Sequence, residues 1–400
     1  MRLWKLVLAG CAALAGAPTP APAQDLKFGV LTDLGGPYAD SSGLGAVEAT
    51  RMAVEDLKET LGDRRVEVVS ADHQSKADIG AAIARRWLDN EGVDVIVNVP
   101  NSAIALAVQT VTRERRRIFL ITGGATVELT GRQCSPYAAH WTDDTFSLST
   151  GTTRALMERG GADSWFLVTA DYAAGYGLAS AARRVIEDNG GRVVGEAKHP
   201  FGTTDQSSFL LQAQNSGAKM VALANAGTDT INSIKQAHEF HIGPPAQTIV
   251  AMALFITDVH SLGLEAAQGL YFTAGFYWDR NAESRAWSRR FFERIGRMPT
   301  REQAETYSAV HHYLRGVVAT GSKDAATVMA WMKANPLDDF YAPGAQLRQD
   351  GRLIHPIYLM QVKTPAESRY PWDYYKMVAT VSPERAFRPL AEGGCPFVTP

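Results

Sequence analysis

Three short turns in the first half of the chain hold residues suited to gripping a small anion. They are Gly36-Pro37-Tyr38-Ala39-Asp40-Ser41-Ser42, Pro100-Asn101-Ser102-Ala103 and Gly123-Gly124-Ala125-Thr126. Each follows an apolar run, and the first two open clear helical patterns, so hydroxyls and free backbone N–H groups collect together. A helix start favours a negative charge by about 0.3–1 kcal/mol. The chemistry that fits is capture of a carboxylate by Tyr38, Ser42, Asn101, Ser102, Gly124, Ala125 and Thr126. Ser102 and Thr126 also stand where N-caps belong, and capping alone accounts for either. Matching turns in the second half, 171–175, 225–229 and 251–255, add an acid, an aromatic ring and apolar surface. The candidates there are Asp171, Tyr172, Asn225, Asp229 and Met252, with Asp229 equally suited to capping a helix over 230–241.

Residues for bond-making are missing. No Gly-x-Ser-x-Gly elbow, Walker loop or Gly-x-Gly-x-x-Gly after the first strand occurs. His238 and His241 sit three apart at a helix end with no metalloprotease signature around them. His311 and His312 are adjacent and point in different directions on a helix. The expectation is therefore binding without catalysis, metal or cofactor.

Short β-branched runs alternate with helical patterns around these turns. Strands are expected at 26–32, 66–69, 93–99 and 118–122, with helices over 43–61, 76–90 and 102–115. The pattern restarts at Ser164, with strands at 164–169, 192–195 and 220–224 and helices over 176–189 and 206–216. Apolar strands joined by helices argue parallel sheets covered on both faces. After a strand at 270–276, helices over 282–296, 302–320 and 324–334 have no strands of their own and must cover an existing sheet. Strands at 357–362 and 374–381 close the chain. The fold class is α/β, with two parallel-sheet lobes and crossings near 140–144, 273–278 and 351–356.

The chain has 400 residues, 46% hydrophobic and 20% charged, which is globular composition. Forty Lys and Arg stand against 42 Asp and Glu, so no basic excess exists for nucleic acid or anionic membrane. Arg2 and Lys5, an apolar stretch from Leu6 to Ala17 and Ala21-Pro22-Ala23 read as a cleaved export leader over 1–23. Lipidation at Cys11 is the alternative. Cys134 and Cys395 then remain, and two cysteines in an oxidising compartment read as one disulfide, against the alternative of two buried thiols. Closing so long a loop stabilises by up to about 5 kcal/mol on the chain-entropy view.

Phe28-Gly29-Val30 through Gly35-Gly36-Pro37, Asp171-Tyr172 with Gly175, and Tyr307-Ser308-Ala309-Val310 resemble the periplasmic solute-binding proteins of branched-chain amino acid ABC transporters. The resemblance covers nearly the whole chain after the leader. It implies two Rossmann-like lobes joined by three hinge strands: 24–141 with 278–350, and 142–277 with 351–385, followed by a tail over 386–400. It also implies a monomer in the periplasm that delivers a small carboxylate or amino acid to ABC permease subunits. A soluble ligand sensor feeding a signalling receptor is the alternative. By the same resemblance, Ser102, Ala125 and Thr126 hold the carboxylate, and Tyr172 and 225–229 form the facing wall. An aromatic residue that members of that family often carry near Ala174 is missing, as is a tyrosine expected near Ala226, and no acid for an ammonium stands at 251–255. A buried ammonium without a partner costs too much. Either Asp171 or Asp229 fills that role, or the ligand is an amine-free aromatic or aliphatic acid, the expectation preferred here.

Overall fold

A computed structural model describes residues 25–160 and 163–398, so the expected leader and Cys11 lie outside the described residues. Strands β1 (Leu26–Thr32), β2 (Val66–Asp72), β3 (Val95–Asn98), β4 (Ile118–Ile121) and β5 (Ala138–His140) form a parallel sheet. Its order is β2-β1-β3-β4-β5. Strands β6 (Ser164–Ala170), β7 (Arg192–His199), β8 (Met220–Ala224), β9 (Thr248–Ala251) and β10 (Tyr271–Ala274) repeat that winding as β7-β6-β8-β9-β10, again parallel. The short strands β11 (Gln346–Leu347) and β12 (Leu353–Ile354) pair with each other. Strands β13 (Ile357–Val362) and β14 (Tyr375–Val381) then extend the second sheet antiparallel beyond β10. The expected α/β class with two Rossmann-like parallel sheets is what forms.

Alternation along each strand sends side chains to two faces, and helices cover both. Phe28, Val30, Val95, Val97 and Leu120 lie in one buried cluster, while Leu31, Ile96, Phe119 and Ile121 lie in another. The helix Arg301–Thr320 closes the first of these faces, with Tyr313 meeting Phe28 edge-on at 5.7 Å. It is held beside the helix Gly43–Asp56 by Tyr307 Oη donating to Asp56 at 2.6 Å. The neighbouring helix Ala282–Ile295 adds Arg294, which bonds Glu48 and Glu55 at 2.9 and 2.7 Å. On the opposite face a Cβ at Gly29 would stand 2.5 Å from the Trp87 ring, so the strand must be bare there.

Three segments run between the sheets, and one carboxylate touches all of them. Asp143 lies in the first. Its Oδ2 accepts from Gly275 N in the second at 2.7 Å, and its Oδ1 lies 3.6 Å from His355 Nε2 in the third. A Cβ at Gly275 would collide with His355, Asp143 and Tyr341, all within 2.9 Å. Fully buried Arg352 ties the third segment to the first by donating to the carbonyls of Trp141 and Thr142.

The tail crosses the same junction. Phe387 is buried against the His355 ring and the Arg352 guanidinium, at 5.1 and 4.6 Å. Arg385 pairs with Glu158 and Arg388 donates to Val127 O at 3.1 Å. A disulfide joins Cys134 to Cys395 across 261 residues.

Sequence reading missed β5 and the helix Thr145–Glu158. That helix is rich in threonine and serine, weak helix formers whose hydroxyls hide the usual periodicity. Its one local signal is Asp144, whose side chain caps it by accepting from Ser147 N at 2.8 Å. Replacing Phe28 with alanine opens a cavity between the first sheet and its covering helix. The expected loss is about 3–5 kcal/mol, read as a lower urea midpoint by fluorescence.

Candidate functional site

The first five strands of each sheet reverse order at one place, and the crevice beyond their C-terminal ends is where such sheets take ligands. The two crevices face each other. After β1, Asp33 shapes the turn: Oδ1 accepts from Gly36 N at 2.6 Å and Oδ2 from Tyr38 N at 3.0 Å. Tyr38 is thereby aimed across the gap, where its hydroxyl hydrogen-bonds the hydroxyl of Tyr172. Phe201 packs beside both rings, at 5.9 and 4.7 Å. After β3, the backbone adopts positive φ at Asn98 and Val99, 82° and 61°. Two consecutive non-glycine residues in that region, one β-branched, mark strain of the kind that gathers at binding sites.

Asn101, rather than Ser102, caps the helix Ser102–Glu114, accepting from Ala103 N and Ile104 N at 3.0 and 3.2 Å. Ser102 Oγ is thus left to accept from Thr126 N at 3.2 Å. Thr126 caps its own short turn by accepting from Glu128 N at 3.4 Å. The Gly124 carbonyl meets His140 Nε2 at 2.8 Å, and the Ala125 carbonyl accepts from Thr145 N at 2.8 Å. On the opposite side, a Cβ at Gly175 would fall 2.0 Å from Ala170 O, so only glycine lets the helix Ala173–Asp188 start so close to β6.

Tyr38, Ser102, Ala125 and Tyr172 meet around a single cavity of about 20 Å³, shared with Pro100, Ala226 and Phe255. That is the space of about one water. Ser42 and Thr126 stand one bond behind it. The remaining expected residues serve elsewhere. Asp171 is exposed and accepts from Tyr176. Asn225 is buried in a network with His199, Thr230 and Ser233 at 3.1, 2.8 and 3.1 Å. Met252 lies in the core, its sulfur accepting from Ser149 at 3.4 Å. Asp229 lies in the first turn of the helix Thr228–Glu239 and accepts from Gly202 N at 3.0 Å, so it fastens a loop and is not the N-cap, which is Gly227. A groove of about 510 Å³ lies behind the cavity beneath the tail, with Thr145 common to both. Of its arginines, Arg184 and Arg385 pair with Glu392 and Glu158 and Arg388 donates to Val127 O, while Arg154 lines the groove without an ion pair among the described residues. Among the described residues no group of three or more His, Cys, Asp or Glu could hold a metal ion.

Two cavity residues escaped sequence reading, Arg301 and Glu302, at the start of the helix Arg301–Thr320. Thr300 and Gln303 form a capping box there, at 3.3 and 3.0 Å, and Thr300 Oγ1 donates to Ser41 O at 2.6 Å. The helix is thereby docked against the first turn with its opening residues in the gap. The available signal was this box, Thr300-x-x-Gln303, with opposite charges inside it. Arg301 is only 5% exposed, and its Nε and Nη1 have no hydrogen-bond partner. Its Nε lies 3.4 Å from Asp143 Oδ2 without hydrogen-bond geometry, and its guanidinium sits 4.4 Å over the Phe255 ring. Burial works against its charge, but the carboxylates of Glu302, Glu305 and Asp143 outweigh that and raise its pKa. Glu302 Oε2 accepts from Ser42 and Ser41 at 3.0 and 3.4 Å. Burial nevertheless pushes Glu302 up to about 7, and pushes Glu305 and Asp258 up to about 8.

A family profile described as "Periplasmic binding protein" matches residues 25–368. The chain is similar to the crystal structure of a periplasmic binding protein from Burkholderia mallei, 46% identical, TM-score 0.90, covering 94% of this chain and 99% of that one. A branched-chain amino acid ABC transporter periplasmic ligand-binding protein from Burkholderia xenovorans LB400 is 39% identical, TM-score 0.83, covering 93% and 100%. An ABC transporter solute-binding protein from R. palustris in complex with benzoate shares the fold at 20% identity, TM-score 0.80, covering 90% and 97%. No match exists among curated proteins.

A carboxyl group whose pKa is raised by folding stabilises the fold below its ordinary pKa and loses that contribution as pH rises through the raised value. Glu302, Glu305 and Asp258 all do so near 7–8. Buried His140 and His355 are shifted down by burial and are already neutral there. The ligand-free melting temperature should therefore fall from pH 7 to pH 9 in differential scanning fluorimetry. Glu302→Gln should flatten the earlier part of that fall.

Proposed function

We propose a role for this chain, which belongs to the periplasmic binding protein family: it captures a small carboxylate between its two lobes and presents the closed form to an ABC importer. The lobes are 24–141 with 278–350 and 142–277 with 351–385, tied by the tail. The protein works as a monomer in the periplasm after loss of residues 1–23, its partners the permease subunits of the inner membrane. The ligand is an aromatic or aliphatic acid or an amino acid. A 39% identical structure belonging to a branched-chain amino acid transporter supports this class. Distant proteins of the same fold hold benzoate and 4-hydroxybenzoate.

One observation carries the reading: a buried guanidinium without hydrogen bonds on two of its nitrogens, facing a cavity closed by a tyrosine pair. Leaving such donors unpaired costs free energy, and a carboxylate that accepts from them recovers it. Ser102 Oγ and the Ala125–Thr126 backbone stand around the same space. Because the cavity has room for only about one water, a ligand enters only when the lobes separate about the segments near 140–144, 273–278 and 351–356. Binding and closure are then a single event, and the ligand shifts the population toward the closed form.

A thermal-shift screen of amino acids and of aromatic and aliphatic acids should yield a stabilising ligand of micromolar affinity, about −8 kcal/mol. Arg301→Met should weaken it by about 10–100-fold, the worth of a hydrogen bond to a charged group. Ser102→Ala should weaken it less. Unchanged calorimetric affinity in both variants would place the carboxylate elsewhere.

A further inference from the structure

On the two-lobe reading above, we propose that the C-terminal tail is a fourth connection, a strap that favours the closed form until a dithiol cuts Cys134–Cys395. The tail changes lobes at Phe387. Up to there it belongs with the second sheet, continuing from β14 and pairing Arg385 with Glu158. From Arg388 onward it is fixed to the first lobe. Arg388 donates to Val127 O at 3.1 Å, Arg348 donates to Arg388 O at 2.9 Å, and Cys395 is bonded to Cys134. The change of side rests on the third crossing, where Phe387 packs against Arg352 and His355. Beneath the tail runs the groove of about 510 Å³, with Val127 and Glu128 on one side and Thr150, Ser180 and Arg184 on the other. An ion pair spans it. Glu392, carried on the first lobe by the bridge, meets Arg184 of the helix Ala173–Asp188 at 3.2 Å.

The bridge matters because the bonds it supports are weak alone. The side chains of Arg184 and Glu392 are 61% and 43% exposed, and an exposed pair contributes little by itself. Nor is the covalent link a hard stop, since the stretch from Phe387 to Cys395 can extend over about 26–29 Å. It acts by proximity. After each opening the bridge returns Arg388 and Glu392 to their partners at high effective concentration. A cut tail must be ordered again from a free end, at full entropic cost. Reduction therefore releases 388–398 from the first lobe, removes the Arg184–Glu392 clasp, and leaves the lobes to part more often.

The exposure of the two cysteines sets the course of the exchange. Cys134 is fully buried, while Cys395 is half-buried between exposed Gly394 and Pro396, so attack falls on Cys395. A thiolate of the dithiol bonds to Cys395 Sγ, and Cys134 Sγ leaves with the electron pair and takes up a proton. The second sulfur of the dithiol then displaces Cys395 Sγ, which takes up the other proton. Two electrons and two protons pass to the protein, and the donor ends as a disulfide. In an oxidising compartment the strap is fastened by default.

The test needs no ligand. Hydrogen exchange on the full mature chain, read by mass spectrometry, follows closure through Thr228 N, which donates to Pro37 O across the gap at 3.3 Å. Reduction with dithiothreitol, or Cys134→Ser with Cys395→Ser, should speed exchange at 225–229 and 37–42 and enlarge the radius of gyration in small-angle scattering. Sheet peptides over 95–98 and 220–224 should be unchanged, which separates opening from general loosening. With the bridge intact, Glu392→Gln should speed exchange at 225–229 by up to about fivefold, less than reduction does, and concentrated salt should shrink that effect. Arg184→Glu should act alike, and adding Glu392→Arg to it should restore slow exchange. If the bridge-free chain fails to fold, this charge exchange on the bridged chain decides. Unchanged or slower exchange at 225–229 after reduction, equal speeding in the sheet peptides, or no restoration by the exchanged charges overturns the strap. The carboxylate screen is read separately. A ligand found there without any redox effect removes the strap alone, and a redox effect without a ligand supports the strap and counts against capture.

Discussion

The carboxylate of Asp143 is the point on which the two halves turn. It has no exposure, and the three connecting segments and the start of the helix Arg301–Thr320 all converge on it. A buried anion must be compensated where it lies. Here the compensation comes from a backbone N–H and a guanidinium on separate stretches of chain, with the neutral His355 ring packed beside the other oxygen. None of these groups satisfies it alone, so the crossings cannot drift independently. The same arrangement leaves Arg301 half-used: near enough to Asp143 to remain charged, not well enough oriented to be saturated. The joint between the lobes and the floor of the cavity are therefore one electrostatic unit.

Much of the architecture was legible from residue order. Buried strands such as Val95–Asn98 and Met220–Ala224 read as apolar runs because helices cover both faces, and each half restarts the same winding. The helices after 282 were correctly expected to cover a sheet that already existed. Elements built from hydroxyl side chains, Thr145–Glu158 above all, stayed hidden because burial of threonine and serine leaves no hydropathy period to read.

The cavity was less legible than the fold, for a physical reason. Turns at strand ends declare themselves locally, and Tyr38, Ser102, Ala125 and Tyr172 do meet. Arg301 and Glu302 come from a helix some 200 residues further on than Ser102, and nothing local distinguishes a charged helix start facing solvent from one folded into a gap. Conversely, Asn225 and Asp171 have the right composition, but their partners are neighbours in their own lobe. Which polar residues are spent on scaffolding is decided by contacts across the chain.

The fastening of the tail has a practical side. The polypeptide leaves the second sheet at β14, yet its last residues are bonded to Cys134, between β4 and β5 of the first. A dye or fluorescent domain attached past Cys395 would consequently ride on the first sheet. An optical sensor made from this scaffold needs its companion label on the other sheet, and exposure to a thiol reductant would untether the C-terminal one.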